Sequence, residues 1–119
     1  MNLIRNLFAL LVVAGVSACS GTLNPTVATP SQVAVAINAF DAAEITATNY
    51  LTLPLCATGG PKVCRTAPIS TSITTAVRAG IAARNALTAD LQTNASAPIT
   101  ALEALNAAVS TISTLAPKA

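Results

Sequence analysis

The sequence predicts an all-α protein, a small up-down-up three-helix bundle with a disulfide-closed loop between helices 1 and 2. Three segments carry apolar residues at heptad spacing, and 26 of the 119 residues are alanine, the best helix former. Proline and capping residues stand at the segment boundaries. Threonine-rich stretches such as residues 70–75 are also compatible with strands. The alanine content and the unbroken heptads favour helices there.

The first helix is predicted over residues 31–53. Ser31 is a suitable N-cap because it follows Pro30 and precedes the first periodic residue. Pro54 cannot continue a helix and therefore ends it. The predicted seam of this helix follows a 4-3-4-3-4 spacing and consists of Val33, Ile37, Phe40, Glu44, Ala47 and Leu51.

The second helix is predicted over residues 69–94, after Pro68 and before Asn94, which is a common residue at helix ends. Its seam repeats the same spacing through Ile73, Val77, Gly80, Arg84, Leu87 and Leu91.

The third helix is predicted over residues 97–116. Ser96 is the expected N-cap, Pro98 is tolerated in the first turn, and Pro117 closes the helix. The predicted seam contains Leu102, Leu105, Val109, Ile112 and Ala116.

Such a bundle has a thin core, because only 24 large apolar side chains follow Cys19. It should need a covalent link or a partner. Cys56 and Cys64 flank a Gly59-Gly60-Pro61 turn that can bring them together. A redox-active pair is the functional alternative, but such pairs usually have a CxxC spacing at a helix N-terminus. Two thiols without histidine make a poor zinc site, so we expect no metal.

Two charges interrupt the predicted seams. Glu44 and Arg84 lie on the first two helices, and the side chains of antiparallel helices lean toward each other. We expect a buried ion pair between them, with a role in fixing the register of the helices. If the helical phase is different, both charges are solvated and Asp41 is the better partner for Arg84.

The first nineteen residues have the pattern of a targeting signal. Arg5 precedes an apolar run over residues 7–16, which is long enough for a signal peptide and too short to span a membrane. The run ends in Val16-Ser17-Ala18-Cys19. This box resembles the lipobox of bacterial lipoproteins, in which cleavage precedes the cysteine and its thiol is lipidated. An ordinary secretory signal cleaved at the same place is the alternative.

The resemblance implies a signal peptide at residues 1–18, a lipidated Cys19 followed by a flexible tether at 19–30, and the three-helix domain at 31–119. Acyl chains on Cys19 would anchor the protein to a membrane. The next residue is Ser20 rather than the aspartate that often marks inner-membrane retention in this class. The resemblance therefore favours the outer membrane, with the domain in the periplasm or at the cell surface.

Composition excludes most chemistry. The chain has no histidine, which removes the commonest general base and every Ser-His or Cys-His arrangement. The net charge of +2 provides no basic stripe for nucleic acid. No glycine-rich phosphate loop occurs. We expect no catalytic residue and no cofactor.

The sequence thus favours a structural or protein-interaction role, either with an unknown envelope protein or by self-association along an alanine- and threonine-rich helix face. A phage lysis or toxin-immunity accessory lipoprotein is the alternative, although spanin-type lipoproteins are proline-rich and extended. A small-ligand carrier fits less well because the chain has three aromatic residues.

Lipidation at Cys19 is directly testable. Metabolic labelling with a palmitate analogue should label the wild-type chain, because the lipobox directs acylation to that thiol. A Cys19→Ser variant should take up no label. Equal labelling of the two chains would contradict the lipoprotein assignment.

Overall fold

The structure, a computed structural model, describes residues 26–116. Its helices α1 (Pro30–Leu51), α2 (Ala67–Thr93) and α3 (Ile99–Leu115) pack together around a single core, which confirms the predicted three-helix bundle. Two short strands accompany them, β1 (Val27–Ala28) and β2 (Ala97–Pro98). The predicted signal peptide, the lipidation site Cys19 and the first part of the tether lie outside the described residues.

Helix α1 begins one residue earlier than predicted and has a different cap. Thr29, not Ser31, is the N-cap, and Pro30 occupies the first turn. The backbone N–H of Gln32 donates to Thr29 Oγ1 (3.4 Å), and the N–H of Thr29 donates to Gln32 Oε1 (2.9 Å). This reciprocal capping box satisfies two N–H groups that the helix itself leaves free.

Residues 26–30 belong to the folded domain, so the predicted boundary at residue 31 is too late. Strand β1 pairs antiparallel with β2, placing Ala28 opposite Ala97, and both alanines are buried. The N–H of Ile99, at the start of α3, donates to the carbonyl of Thr26 (3.2 Å). This bond replaces the side-chain cap expected from Ser96, since α3 begins after Pro98 without one.

Helix α2 begins two residues before the predicted position, with Pro68 in its first turn rather than ahead of it. It ends at Thr93, where the N–H of Asn94 donates to the carbonyl of Asp90 (2.7 Å). Helix α1 ends at Leu51, two residues before the predicted end, and helix α3 ends at Leu115.

The heptad seams are real, but alternate positions are shifted by one residue from the predicted ones. Val33, Phe40 and Ala47 are buried as expected on α1, whereas Ala36 and Ala43 take the places predicted for Ile37 and Glu44. The same shift occurs on the other helices. Five of the six buried residues in the shifted positions are alanines and the sixth is a tyrosine; they are Ala36, Ala43, Tyr50, Ala76, Ala83 and Ala108.

Helices α1 and α2 pack closely where the ring of Phe40 lies against Gly80. Phe40 is fully buried, and a Cβ placed on Gly80 would overlap the Cε2 and Cζ atoms of its ring. Glycine is required at this position because the ring occupies the space that any side chain would need. The largest fully buried side chains complete the core: Phe40, Ile73, Leu87, Leu105, Ile112 and Val33.

Threonines on the helices bond back to their own backbone. The Oγ1 of eight of them donates to the carbonyl four residues earlier, as Thr74 does to Ser70 (2.8 Å). These bonds explain how helices tolerate so many threonines, because the hydroxyl is satisfied locally. The residues are Thr46, Thr71, Thr74, Thr75, Thr88, Thr93, Thr111 and Thr114.

Replacing Gly80 by alanine should destabilise the domain although alanine is the better helix former. The clash with the Phe40 ring should cost about 1–3 kcal/mol, against a gain in helix propensity of about 1 kcal/mol. We expect a net loss of about 1 kcal/mol in the free energy of unfolding, measured by urea denaturation.

The Phe40→Leu background provides the control for this substitution. Leucine lacks the outer ring atoms that the new methyl group would meet, so Gly80→Ala should there be neutral or stabilising. An equal loss in both backgrounds would show that the Phe40 contact does not set the spacing.

Candidate functional site

The connection between α1 and α2 is closed by the predicted disulfide. Cys56 and Cys64 are bonded, with their Cα atoms 5.0 Å apart, which confirms the predicted pairing. Gly59 adopts a φ of +75°, and the N–H of Gly60 donates to the carbonyl of Ala57 (2.9 Å). A turn with positive φ at its third residue favours glycine there.

Backbone hydrogen bonds brace the base of this loop. The N–H of Arg65 donates to the carbonyl of Pro54 (2.9 Å), and the N–H of Cys56 donates to the carbonyl of Arg65 (3.0 Å). Together they form a parallel bridge between Leu55 and Arg65. The two arms of the loop are thus joined beside the disulfide, so the loop is held by both covalent and hydrogen bonds.

Side chains tie the loop to the helices. The Nε of Arg65 donates to the carbonyl of Leu53 (2.8 Å), and its Nη1 donates to Ser70 Oγ (3.3 Å). The hydroxyl of Tyr50, a buried residue at the end of α1, accepts from the N–H of Thr66 at the start of α2 (3.0 Å). Tyr50 therefore anchors the loop to both helices, and its hydroxyl is satisfied.

The braced loop presents apolar side chains to solvent. Leu55 precedes the first cysteine and Val63 precedes the second, and they are 53% and 61% exposed. Lys62 is exposed beside Val63, and residues 52–66 contain no carboxylate. A surface of aliphatic groups with a positive charge, held on a rigid frame, has the chemistry of a small protein-contact site.

The structure brings Glu44 and Arg84 together. Arg84 Nη1 lies 3.1 Å from Glu44 Oε2 and 3.0 Å from Asp41 Oδ1, so both candidate carboxylates bind the same guanidinium. The guanidinium carbon also lies 5.6 Å from the centroid of the Phe40 ring. This distance fits a cation–π contact, which Arg84 makes in addition to its two ion pairs.

The prediction that this ion pair is buried is wrong. The side chains of Arg84 and Glu44 are 30% and 27% exposed, and that of Asp41 is 52% exposed. Ala43 and Ala83 occupy the buried positions beside them. The charges thus lie at the rim of the α1–α2 interface, where water screens them and no desolvation penalty of the buried kind arises.

Shallow grooves mark the surface of the described residues. A groove of about 530 Å³ runs between α2 and α3 and is lined by alanines and threonines, including Ala76, Ala104 and Thr111. Another of about 410 Å³ lies between α1 and α3, beside the exposed Val35. A third, of about 270 Å³, adjoins the disulfide loop and contains Arg65 and Arg78.

Groups of three or more cysteine, aspartate or glutamate side chains that could hold a metal ion do not occur among residues 26–116. Within the same residues, no helix combines the length and the apolar character that a membrane crossing requires. Comparison with protein-family models, curated proteins and solved structures gives no match to this chain.

Sequence reasoning identified the disulfide and the approach of Glu44 to Arg84, but it missed the exposed pair Leu55 and Val63 and the role of Arg65. The signal for the first pair was available, because both residues are large and apolar and stand outside every helical seam. The bonds of Arg65 had no such signal, since they depend on carbonyl directions that only the folded loop defines.

A double-mutant cycle on Arg84→Met and Glu44→Gln should give a coupling free energy below about 1 kcal/mol, because the pair is partly exposed. The coupling should fall further in 1 M salt, where charges are screened over about 3 Å. The matched cycle combines Asp41→Asn with Arg84→Met, and its coupling free energy should be similarly small and similarly reduced by salt. A coupling of about 3 kcal/mol or more, unaffected by salt, would instead indicate a buried pair.

Proposed function

We propose that the protein is a lipid-anchored protein of the bacterial outer membrane with a structural or protein-interaction role, and that its disulfide-closed loop contacts the partner. The lipobox at Val16-Ser17-Ala18-Cys19 supports the anchor. The loop supports the contact. The partner is another envelope protein.

If Cys19 is lipidated, the tether would hold one end of the bundle closer to the membrane than the other. The described domain begins at Thr26, seven residues after Cys19, and a chain of that length spans at most about 25 Å. The end that carries β1 and β2 would therefore lie near the lipid. The disulfide loop is at the other end of α1, whose 22 residues extend about 33 Å. On a lipidated chain, the loop would be at the end of the domain farther from the attachment point.

One observation carries the proposal: the most strongly braced connection of the domain holds Leu55 and Val63 in solvent. A loop whose only task was to join two helices would gain stability by turning these side chains inward. Because a disulfide, a backbone bridge and the bonds of Arg65 already fix the loop, binding would require little further ordering. Preorganisation of this kind reduces the entropic penalty of association.

Charge favours an acidic partner surface. Lys62 lies beside Val63, and the carboxylates of the described residues stand elsewhere, on the helices at Asp41, Glu44, Asp90 and Glu103. A partner with carboxylates around an apolar patch would match the loop in both respects.

Site-specific photocrosslinking in cells tests the proposal. A photoreactive phenylalanine at Val63 should give a discrete adduct with one envelope protein. The same residue at Ile45, which is 65% exposed on α1, is the matched control and should give none. The adduct should disappear with Leu55→Ser and with the double variant Cys56→Ser/Cys64→Ser, which frees the loop.

Two results would contradict the proposed surface. One is an adduct from both positions, which would reflect general proximity rather than a site. The other is an adduct at Val63 that survives Leu55→Ser without loss. An adduct of twice the chain mass would identify a second copy as the partner, and the self-association hypothesis would then replace the one stated above.

A further inference from the structure

A groove beside the disulfide loop collects positive charge. Its volume is about 270 Å³, and it lies along the first three turns of α2. Two guanidinium groups and a row of hydroxyls line it; these residues are Arg65, Arg78, Ser70, Thr71, Thr74 and Thr75.

The guanidinium of Arg65 is fixed in place but not neutralised. Its Nε and Nη1 donate to the neutral acceptors Leu53 O and Ser70 Oγ. The side chain is half-buried, and no carboxylate among residues 26–116 forms an ion pair with it. Its Nη2 group, with two N–H donors, makes no hydrogen bond within the described part of the chain. A half-buried cation without a counterion has lost part of its hydration and gained no opposite charge in return.

Arg78 brings a second positive charge to the same groove. It follows Thr74 by four residues and Thr75 by three, so the three share one face of α2, and its side chain leans back toward the start of the helix. Within residues 26–116, Arg78 takes part in no ion pair. The first turn of α2 adds the positive end of a helix dipole near Arg65.

The serine and threonine hydroxyls of the groove have no free proton to donate to a ligand. Ser70 Oγ donates to Thr66 O (2.8 Å), Thr74 Oγ1 to Ser70 O (2.8 Å), and Thr75 Oγ1 to Thr71 O (3.0 Å). Their protons are therefore already engaged, and the groove offers a ligand the N–H groups of two arginines. Planar guanidinium forks match the oxygen spacing of phosphate, and two of them match its charge of up to −2.

We propose that this groove binds a phosphate group, with Arg65 and Arg78 as the two ligating residues. A single anion bound by both would neutralise two like charges that line the same groove. The groove is larger than the ion itself, so it also accommodates part of an organic phosphomonoester. Free phosphate and the headgroup of a phosphomonoester lipid share this chemistry.

Binding is measured by titration of the purified chain with inorganic phosphate at constant ionic strength, followed by calorimetry and by the rise in Tm that a ligand of the folded state produces. Arg78→Met should weaken phosphate binding by about tenfold, because one of two charge-assisted contacts is lost. Lys62→Met is the matched control. It removes the same charge from the adjoining loop but not from the groove, and it should change the affinity less than about twofold.

Arg65→Met tests the second ligating residue. Because the bonds of Arg65 also brace the loop, the folding of this variant is checked by circular dichroism before titration. Arg78 is exposed and braces no part of the loop, so the Arg78→Met variant tests the site without a risk of misfolding. A second arm compares inorganic phosphate with a short-chain phosphatidic acid below its micelle concentration. Tighter binding of the latter, lost in Arg78→Met, assigns the site to a lipid headgroup, and equal binding assigns it to free phosphate.

Three outcomes overturn the proposal. The first is no saturable binding of phosphate by the wild-type chain. The second is an equal loss of affinity in Lys62→Met and Arg78→Met, which would show attraction to general positive charge. The third is acetate binding as tightly as phosphate through the same arginines, which would make the site a carboxylate site. None of these outcomes depends on lipidation or on the partner of the loop.

Discussion

The contact of the Phe40 ring with the bare backbone of Gly80 determines how closely α1 and α2 pack, and much of the domain follows from it. The neighbouring buried positions on the two helices are alanines, Ala36 and Ala43 beside Phe40 and Ala76 and Ala83 beside Gly80. Arg84 lies one turn beyond Gly80, and its guanidinium lies over the Phe40 ring while binding the carboxylates of Asp41 and Glu44. The rim of charges is thus built around the same aromatic side chain that sets the spacing.

The sequence was sufficient to predict the number of helices, their order and their ends to within two residues, because proline and heptad spacing are local signals. The phase of the seams could not be read as reliably. Where a large aliphatic residue stood beside an alanine, as Ile37 beside Ala36, size suggested that the larger one was central. In a bundle whose helices approach closely, the small residue takes the centre and the larger one packs from the side.

The shifted phase also explains the partial success with the charges. Glu44 and Arg84 meet because antiparallel side chains converge, which depends only on helix direction. Their burial depended on the phase, and Ala43 and Ala83 hold those positions instead. The strands β1 and β2 were not predicted, for a different reason. Two residues cannot show a period, and the pairing of Ala28 with Ala97 joins segments 69 positions apart that carry no matching pattern.

The threonine hydroxyls that bond back to the helix carbonyls change how the protein meets water. With its proton engaged, each such side chain keeps only lone-pair acceptors for solvent. Charged residues make up 8% of the chain, so most of the helical surface is neutral and weakly hydrated. Such a surface exerts little long-range electrostatic steering, because its few charges are of both signs and are spread over the loop and the helices.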